Sequence, residues 1–531
     1  MGARDRHRRL PRADGRPEGV AAPRPRRLRD DAPRLPRVAL TAAPPEHRAP
    51  STEHRAPRGT MTDSARPSGI DAVFDARQAE RRAPSVVFAT FDHDGVTHHG
   101  ARGEVAGALP GPHTAYRIAS CTKSFTAAAL LALRDAGQLV LDAPVTDFVP
   151  AFADVALPTG DSPVPTVRML MTMSGGLPTD DPWGDRQESI TDDELDALLR
   201  RGLRFDSVPG TTFAYSNLGW ALLGRVVASA AGHPYREVVE QTLLGPLGLP
   251  STGFEADVPA TGGVAVGHRP VDDGWEPLPF SGPGAFSPIG GLFSTTTDLA
   301  RWARWLSSAF DPEGRGDVDG VLSRASRREM QQLHRLVPGR GAHPSGYGFG
   351  LFVEEYPDFG TVVSHSGGYP GFSAHMRWQT ATGLGAVGLE NATYAQVAVP
   401  VSRALDGMMA DTAEARVVVA PWPETLAAMP LVEAVVRGRE VPAGLLSENV
   451  ELDVPLVRRR ALWARELEAV GGLLDHDDEG AGEVPGAESA TPSHRVWWLP
   501  GRRGALRLEV RLTPEDPPRV QTLSVRADTG R

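Results

Sequence analysis

Arg117-Ile-Ala-Ser-Cys-Thr-Lys-Ser-Phe-Thr-Ala127 holds Lys123, the only lysine of a 531-residue chain that otherwise uses arginine, 55 times, for positive charge. Arg keeps its proton in proteins, whereas Lys gives its proton up once the surroundings disfavour the charge. A lone Lys is therefore a candidate for chemistry that Arg cannot perform; the plain alternative is chance survival at the surface. The neighbours argue for chemistry. Phe125, Ala129, Ala132, Leu133 and Ala136 recur at helical spacing, which predicts a helix over residues 120–136. Ser120 and Lys123 then stand at i and i+3 on one face of its start, with Cβ atoms about 5–6 Å apart. A serine hydroxyl becomes a nucleophile when a nearby base takes its proton. The positive end of the helix and burial both favour the neutral amine that such a base requires.

Two further elements fit. Phe213-Ala-Tyr-Ser-Asn-Leu-Gly219 supplies Tyr215 and Asn217 as Y-x-N: a Tyr phenolate beside a cation relays protons, and an Asn amide holds a substrate carbonyl. Val363-Ser-His-Ser-Gly-Gly-Tyr-Pro-Gly-Phe372 supplies His365 and Gly367 as H-x-G on a strand. Glycines there admit a substrate backbone to the strand edge and leave N–H groups free for an oxyanion. Each residue also has a plainer reading. Ser120 alone is a helix N-cap, Tyr215 a core-edge aromatic, His365 a hydrogen-bonded core histidine and Asn217 a turn residue. Cys121 reads as a small buried hydrophobe, and His93, His98 and His99 as parts of a hairpin rather than metal ligands. No G-x-S-x-G elbow, H-E-x-x-H helix or glycine-rich phosphate loop competes.

Outward from these motifs the chain divides into three. Residues 1–60 hold 15 Arg, 10 Pro and 7 acids but no aromatic residue, a composition expected to stay disordered. Met61 reads as the start of translation, with a genuine basic tail as the alternative. The other 471 residues carry 41 basic against 59 acidic side chains, a net −18 that argues against nucleic acid as a partner. One Cys excludes an internal disulfide, and no apolar run is long enough to span a membrane. The lack of an export signal points to the cytoplasm. Residues 65–415 read as the catalytic unit. A strand at Ser85–Phe91 turns at Asp94-Gly95 into a second; helices at Gly219–Ala231, Tyr235–Leu244 and Thr297–Ser307 follow. A strand meander over 347–390 and a helix at Val397–Met409 close it. Strands at both ends with helices between predict an α/β (α+β) unit whose first and last strands pair across an inserted helical region. Residues 416–531 read as a small α+β domain: helices opening on Pro430 and Pro455, an acidic loop over 475–492, then three strands.

In this order, S-x-x-K, Y-x-N and H-x-G resemble the serine hydrolases of the β-lactamase and penicillin-binding-protein superfamily. The nearest branch is that of class C β-lactamases, D,D-carboxypeptidases, D-aminopeptidases and family VIII esterases. The resemblance covers residues 75–410 and includes Met171-Thr-Met-Ser-Gly-Gly-Leu177 and Gly290-Gly-Leu-Phe-Ser-Thr-Thr-Thr-Asp-Leu-Ala300. It implies a β-lactamase/transpeptidase-like fold, an antiparallel sheet flanked by helices. It implies acylation of Ser120, a base pair of Lys123 and Tyr215, and a substrate contact from Asn217. His365 would stand where many β-lactamases have Lys, and the N–H groups of Ser120 and Gly368 would form the oxyanion hole. No cofactor or metal is expected. The expected substrate is a small-molecule ester, amide or β-lactam. The alternative is a penicillin-recognising or scaffold module with little or no turnover. The sequence does not fix the oligomeric state.

Overall fold

Five of the seven residues of Ser85–Phe91 are apolar and all seven are buried, as a strand covered on both faces requires. The computed structural model describes residues 69–339, 343–474 and 486–529. The Arg/Pro-rich extension and most of the acidic loop after residue 474 lie outside them. The strands are β1 (Ser85–Phe91), β2 (Val96–Gly103), β3 (Tyr116–Arg117), β4 (His268–Val271), β5 (Gly274–Pro277), β6 (Phe293–Ser294), β7 (Arg335–Leu336), β8 (Ser345–Tyr347), β9 (Phe352–Tyr356), β10 (Gly360–Tyr369), β11 (Phe372–Gln379) and β12 (Gly385–Glu390). Near the C-terminus come β13 (His494–Pro500), β14 (Ala505–Leu512) and β15 (Val520–Asp528).

Eight strands form one antiparallel sheet in the order β2-β1-β12-β11-β10-β9-β8-β7. The first strand pairs with the last, Val86 opposite Glu390 and Phe91 opposite Gly385, so the helical region is inserted between them as expected. Two helices that flank the catalytic unit in sequence, Ile70–Ala79 and Ala398–Asp411, cover one face; Ile70, Phe74, Val397 and Val401 pack there on Val86, Phe88 and Ala386. The other face carries the main core. Its centre is the helix Thr122–Asp135, whose residues are buried from Thr122 to Leu131. Phe125 stacks on Trp302 of the helix Thr296–Ser307 at 3.8 Å between ring centroids. No helix among the described residues is long and apolar enough to cross a membrane.

Several boundaries differ from the sequence reading. The segment 347–354 is two strands, β8 and β9, broken by a turn at Gly350, whose φ is +71°. Tyr235–Leu244 begins as an α-helix and widens into a π-helix over Glu240–Leu244. Pro430 does not open a helix. The helix runs Pro423–Val436, with Pro423 at its first turn and Pro430 inside. Proline inside a helix forfeits a backbone hydrogen bond, but Val432, Val435 and Val436 are buried in the C-terminal core, and that burial offsets the loss. This core also takes Trp463 from the helix Leu456–Ala469 and Trp497, Leu506 and Leu508 from the meander β13-β14-β15. The result is a small sheet domain beside the large sheet.

Candidate active site

The central helix starts with a strained turn. Ala119 has φ +48°, a conformation that costs a non-glycine residue of order 1–3 kcal/mol. It leads into a 3-10 turn over Ala119–Cys121 and then the α-helix. β10 holds this turn from outside. A Cβ on Gly367 would fall 2.4 Å from the Ile118 carbonyl oxygen and 3.0 Å from the Ala119 Cβ, so only glycine lets the two segments approach this closely. The Cys121 thiol donates to the His365 carbonyl at 3.3 Å along the same seam. Gly367 thus serves the close approach of β10 and the Ile118–Ala119 turn.

Lys123 is fully buried, with Nζ 2.8 Å from Ser120 Oγ and 2.8 Å from the Ile289 carbonyl oxygen. A neutral amine has two N–H donors and one lone pair, so it can donate to Ile289 and accept the Ser120 proton at once. Burial pushes the ammonium down to about 8, against the pull of Asp181, Asp185 and Asp180. Tyr215 precedes Ser216, whose hydroxyl caps the helix Asn217–Ala231 by accepting from the Gly219 N–H. Its ring lies 5.0 Å from Lys123 Nζ, and Ser120 is among the groups that act on its hydroxyl. Burial, with Tyr347, Asp181 and Asp185 nearby, holds this phenol well above its usual range. Its phenolate is thereby disfavoured, and of the pair Lys123 is the more accessible base.

Asn217 is the next of the residues expected at the site. It is fully buried at the start of its helix and donates from Nδ2 to Asp181 Oδ1 at 2.8 Å. The lining of the cavity in front of Ser120 does not include it. Its neighbour Asp180 accepts from the N–H groups of Asn217 and Leu218 at 2.5 and 2.9 Å, a charge placed at a helix N-terminus. His365 does line the cavity. Its Nδ1 lies 2.6 Å from the Ser366 carbonyl oxygen and its Nε2 3.1 Å from the Tyr347 hydroxyl. The first contact requires a proton on Nδ1, which leaves Nε2 to accept from Tyr347 in the neutral ring.

The sequence reading missed the acidic wall. Asp181 and Asp185 both line the cavity, with Ser120, Tyr215 and Gly368. Burial pushes the Asp185 carboxyl up to about 7, opposed by Lys123. The run Asp180-Asp-Pro-Trp-Gly-Asp185 reads as an ordinary acidic turn in isolation. The one available signal was Pro182 one residue after Asp181, a pattern that opens a short helix. Glu188 was missed too. It is 1 % exposed, pairs with Arg117 at 3.2 Å and accepts from Tyr369 and Ser287 at 3.1 and 3.0 Å. These contacts tie β3, the end of β10 and the turn that presents the Ile289 carbonyl.

This electrostatic arrangement has a pH consequence. If Ser120 is acylated with Lys123 as its base, the active form is the neutral amine, and acylation should rise with pH along a limb near the Lys123 value of about 8. Asp185 favours the ammonium, and Asp185→Asn removes that charge. The limb should then move to lower pH by on the order of one unit. Acylation rates measured from pH 5 to 10 check this; a limb that stays put or moves to higher pH contradicts it.

The Beta-lactamase family model matches residues 70–406. Esterase EstB of Burkholderia gladioli is 30 % identical over 376 residues, which are 63 % of this chain and 93 % of that protein. The D-alanyl-D-alanine-carboxypeptidase/endopeptidase AmpH of Escherichia coli K12 is 28 % identical over 51 % of this chain and 69 % of its own length. Among solved structures, the octameric penicillin-binding protein homologue from Pyrococcus abyssi superposes with a TM-score of 0.54 at 23 % identity, over 84 % of this chain and 96 % of that one. A class C beta-lactamase gives 0.53 at 19 % identity, over 64 % and 94 %. With the shared sheet, the inserted helices and the family match over more than half its length, the chain belongs to the Beta-lactamase family, a hydrolase superfamily of serine esterases, peptidases and β-lactamases.

Proposed function

We propose that this chain is a serine hydrolase that works through an acyl-enzyme on uncharged carboxylic esters or amides. The observation that carries the reading is the buried 2.8 Å contact between Lys123 Nζ and Ser120 Oγ, made where burial favours the neutral amine. Lys123 takes the hydroxyl proton as Oγ bonds to the substrate carbonyl carbon. The N–H groups of Ser120 and Gly368 receive the oxygen as its charge develops. The tetrahedral adduct collapses and expels the alcohol or amine, which leaves with a proton passed from Lys123 through Tyr215. Water then attacks the acyl-Ser120 carbonyl by the same route and frees the acid. Asn217, expected from its motif to touch substrate, is left a supporting part that holds Asp181.

The choice of an uncharged substrate follows from the cavity walls. Asp181 and Asp185 face it and no Lys or Arg is among the residues that line it, so an anionic group meets like charge. The similarity to Esterase EstB supports the same choice. Two p-nitrophenyl esters of matched length test it, butyrate and the succinate half-ester. The butyrate should be preferred in kcat/KM by at least about 10-fold, the penalty of placing like charges several Å apart at partial screening. Equal turnover of the two would overturn the choice of substrate. Release of a single equivalent of p-nitrophenol, with no further turnover, would favour a penicillin-recognising module over a hydrolase.

A further inference from the structure

One wall of the cavity has no part in the chemistry above. Tyr394, in the turn after β12, lines the cavity and is 43 % exposed. Its ring lies against β10: a Cβ on Gly368 would fall 2.6 Å from Tyr394 Cδ1 and 2.9 Å from Cε1. Its hydroxyl donates to Asp185 Oδ2 at 2.8 Å, across 209 residues of sequence. Its backbone φ is +49°, a left-handed conformation that a bulky residue keeps only when its surroundings hold it there. Tyr394 therefore bridges the glycine end of β10 and the Asp180–Asp185 segment.

The opposite end of the cavity is apolar. Phe352 stands opposite Ser364 in the β9–β10 register, and its ring is 5.4 Å from that of His365. Phe213 and Val337 line the same cavity. From Ser364 to Gly368 the strand advances about 13 Å. The nucleophile turn packs on His365 and Gly367, between these two points. The cavity is about 350 Å³, near the lower limit for small-molecule sites.

We propose that Tyr394 is a specificity-determining residue: a wall latched to Asp185 that closes the Gly368 end of the cleft and limits the size of the substrate group on that side. The apolar Phe213–Val337–Phe352 end is left to take the larger group. The proposal rests on Ser120 as nucleophile, and its test separates the two.

Wild type is first treated with an alkyl fluorophosphonate; loss of labelling at Ser120 would remove the nucleophile reading and this proposal with it. With labelling present, Tyr394→Gly and Tyr394→Trp are compared with wild type on two series of esters. One series is p-nitrophenyl acetate to octanoate, the other methyl to octyl acetate. Glycine accepts φ +49° without strain, so the first variant is expected to fold. Tyr394→Gly should raise the long-to-short ratio of kcat/KM at least about 10-fold in one series, within the range that one methylene group too many costs in a closed pocket. Tyr394→Trp should lower the ratio in the same series. The series that moves identifies which side of the substrate meets the wall. Ratios unchanged in both series, in either variant, would overturn the proposal. Should Tyr394→Gly fail to fold, the direction given by Tyr394→Trp decides.

Discussion

Lys123→Arg is expected to give a folded protein that is acylated at least about 10³-fold more slowly than wild type, the range over which loss of a general base acts. Composition alone predicts the opposite, since the chain uses Arg at every other basic position. The fold also accepts buried Arg where a carboxylate faces it. Arg117 pairs with Glu188, and Arg327, fully buried, pairs with Asp317. Asp181 and Asp185 would serve an Arg at 123 in the same way, so the variant should fold. What it cannot do is lose its proton. Burial takes the Lys123 ammonium to about 8, close to working pH. An Arg begins near ~13.8 and needs a fall of about 6–7 units, more than about 8 kcal/mol, which no protein environment supplies. Labelling kinetics and circular dichroism check this together. Retention of more than about a tenth of the wild-type rate, in a folded protein, would reduce Lys123 to a mere charge.

Ser120→Ala should remove acylation altogether, a fall of about 10⁴-fold or more, while leaving the melting temperature within a few degrees of wild type. The hydroxyl is a small loss to packing. Lys123 keeps its contact with the Ile289 carbonyl. The adjacent thiol cannot substitute: burial pushes Cys121 up to about 12, and its Sγ is engaged with the His365 carbonyl. Residual hydrolysis at the rate of a p-nitrophenyl ester in buffer is the expected floor. A labelled product in this variant, at another serine, would move the nucleophile elsewhere.

The parts of the site that were legible in the sequence are those whose chemistry depends on local spacing. Ser120 and Lys123 share one helix start, so three residues of separation fix their contact. The pairing of β1 with β12 was legible too, because apolar runs at both ends of the catalytic unit need each other to be covered. Asp181, Asp185 and Tyr394 were not. They reach the cavity from two turns with no periodicity, and Tyr394 meets Asp185 only through the closed sheet. The contacts of Asn217 were not legible for a similar reason. A motif states which residues are near, whereas the direction of a buried amide depends on neighbours elsewhere in the chain, here Asp181. Pro430 misplaced a helix start because a local rule was overridden by burial of the valines that follow it.

Ser120, activated by Lys123, is the residue proposed to form the covalent intermediate. The most direct test is intact mass and peptide mapping of the wild-type protein after reaction with a fluorophosphonate, with the labelling rate followed against pH. One phosphonyl group per chain, carried by Ser120, and a rate that rises with pH through a limb near 8 are expected. An adduct on any other side chain, or an enzyme that turns over esters and takes no label, would contradict it.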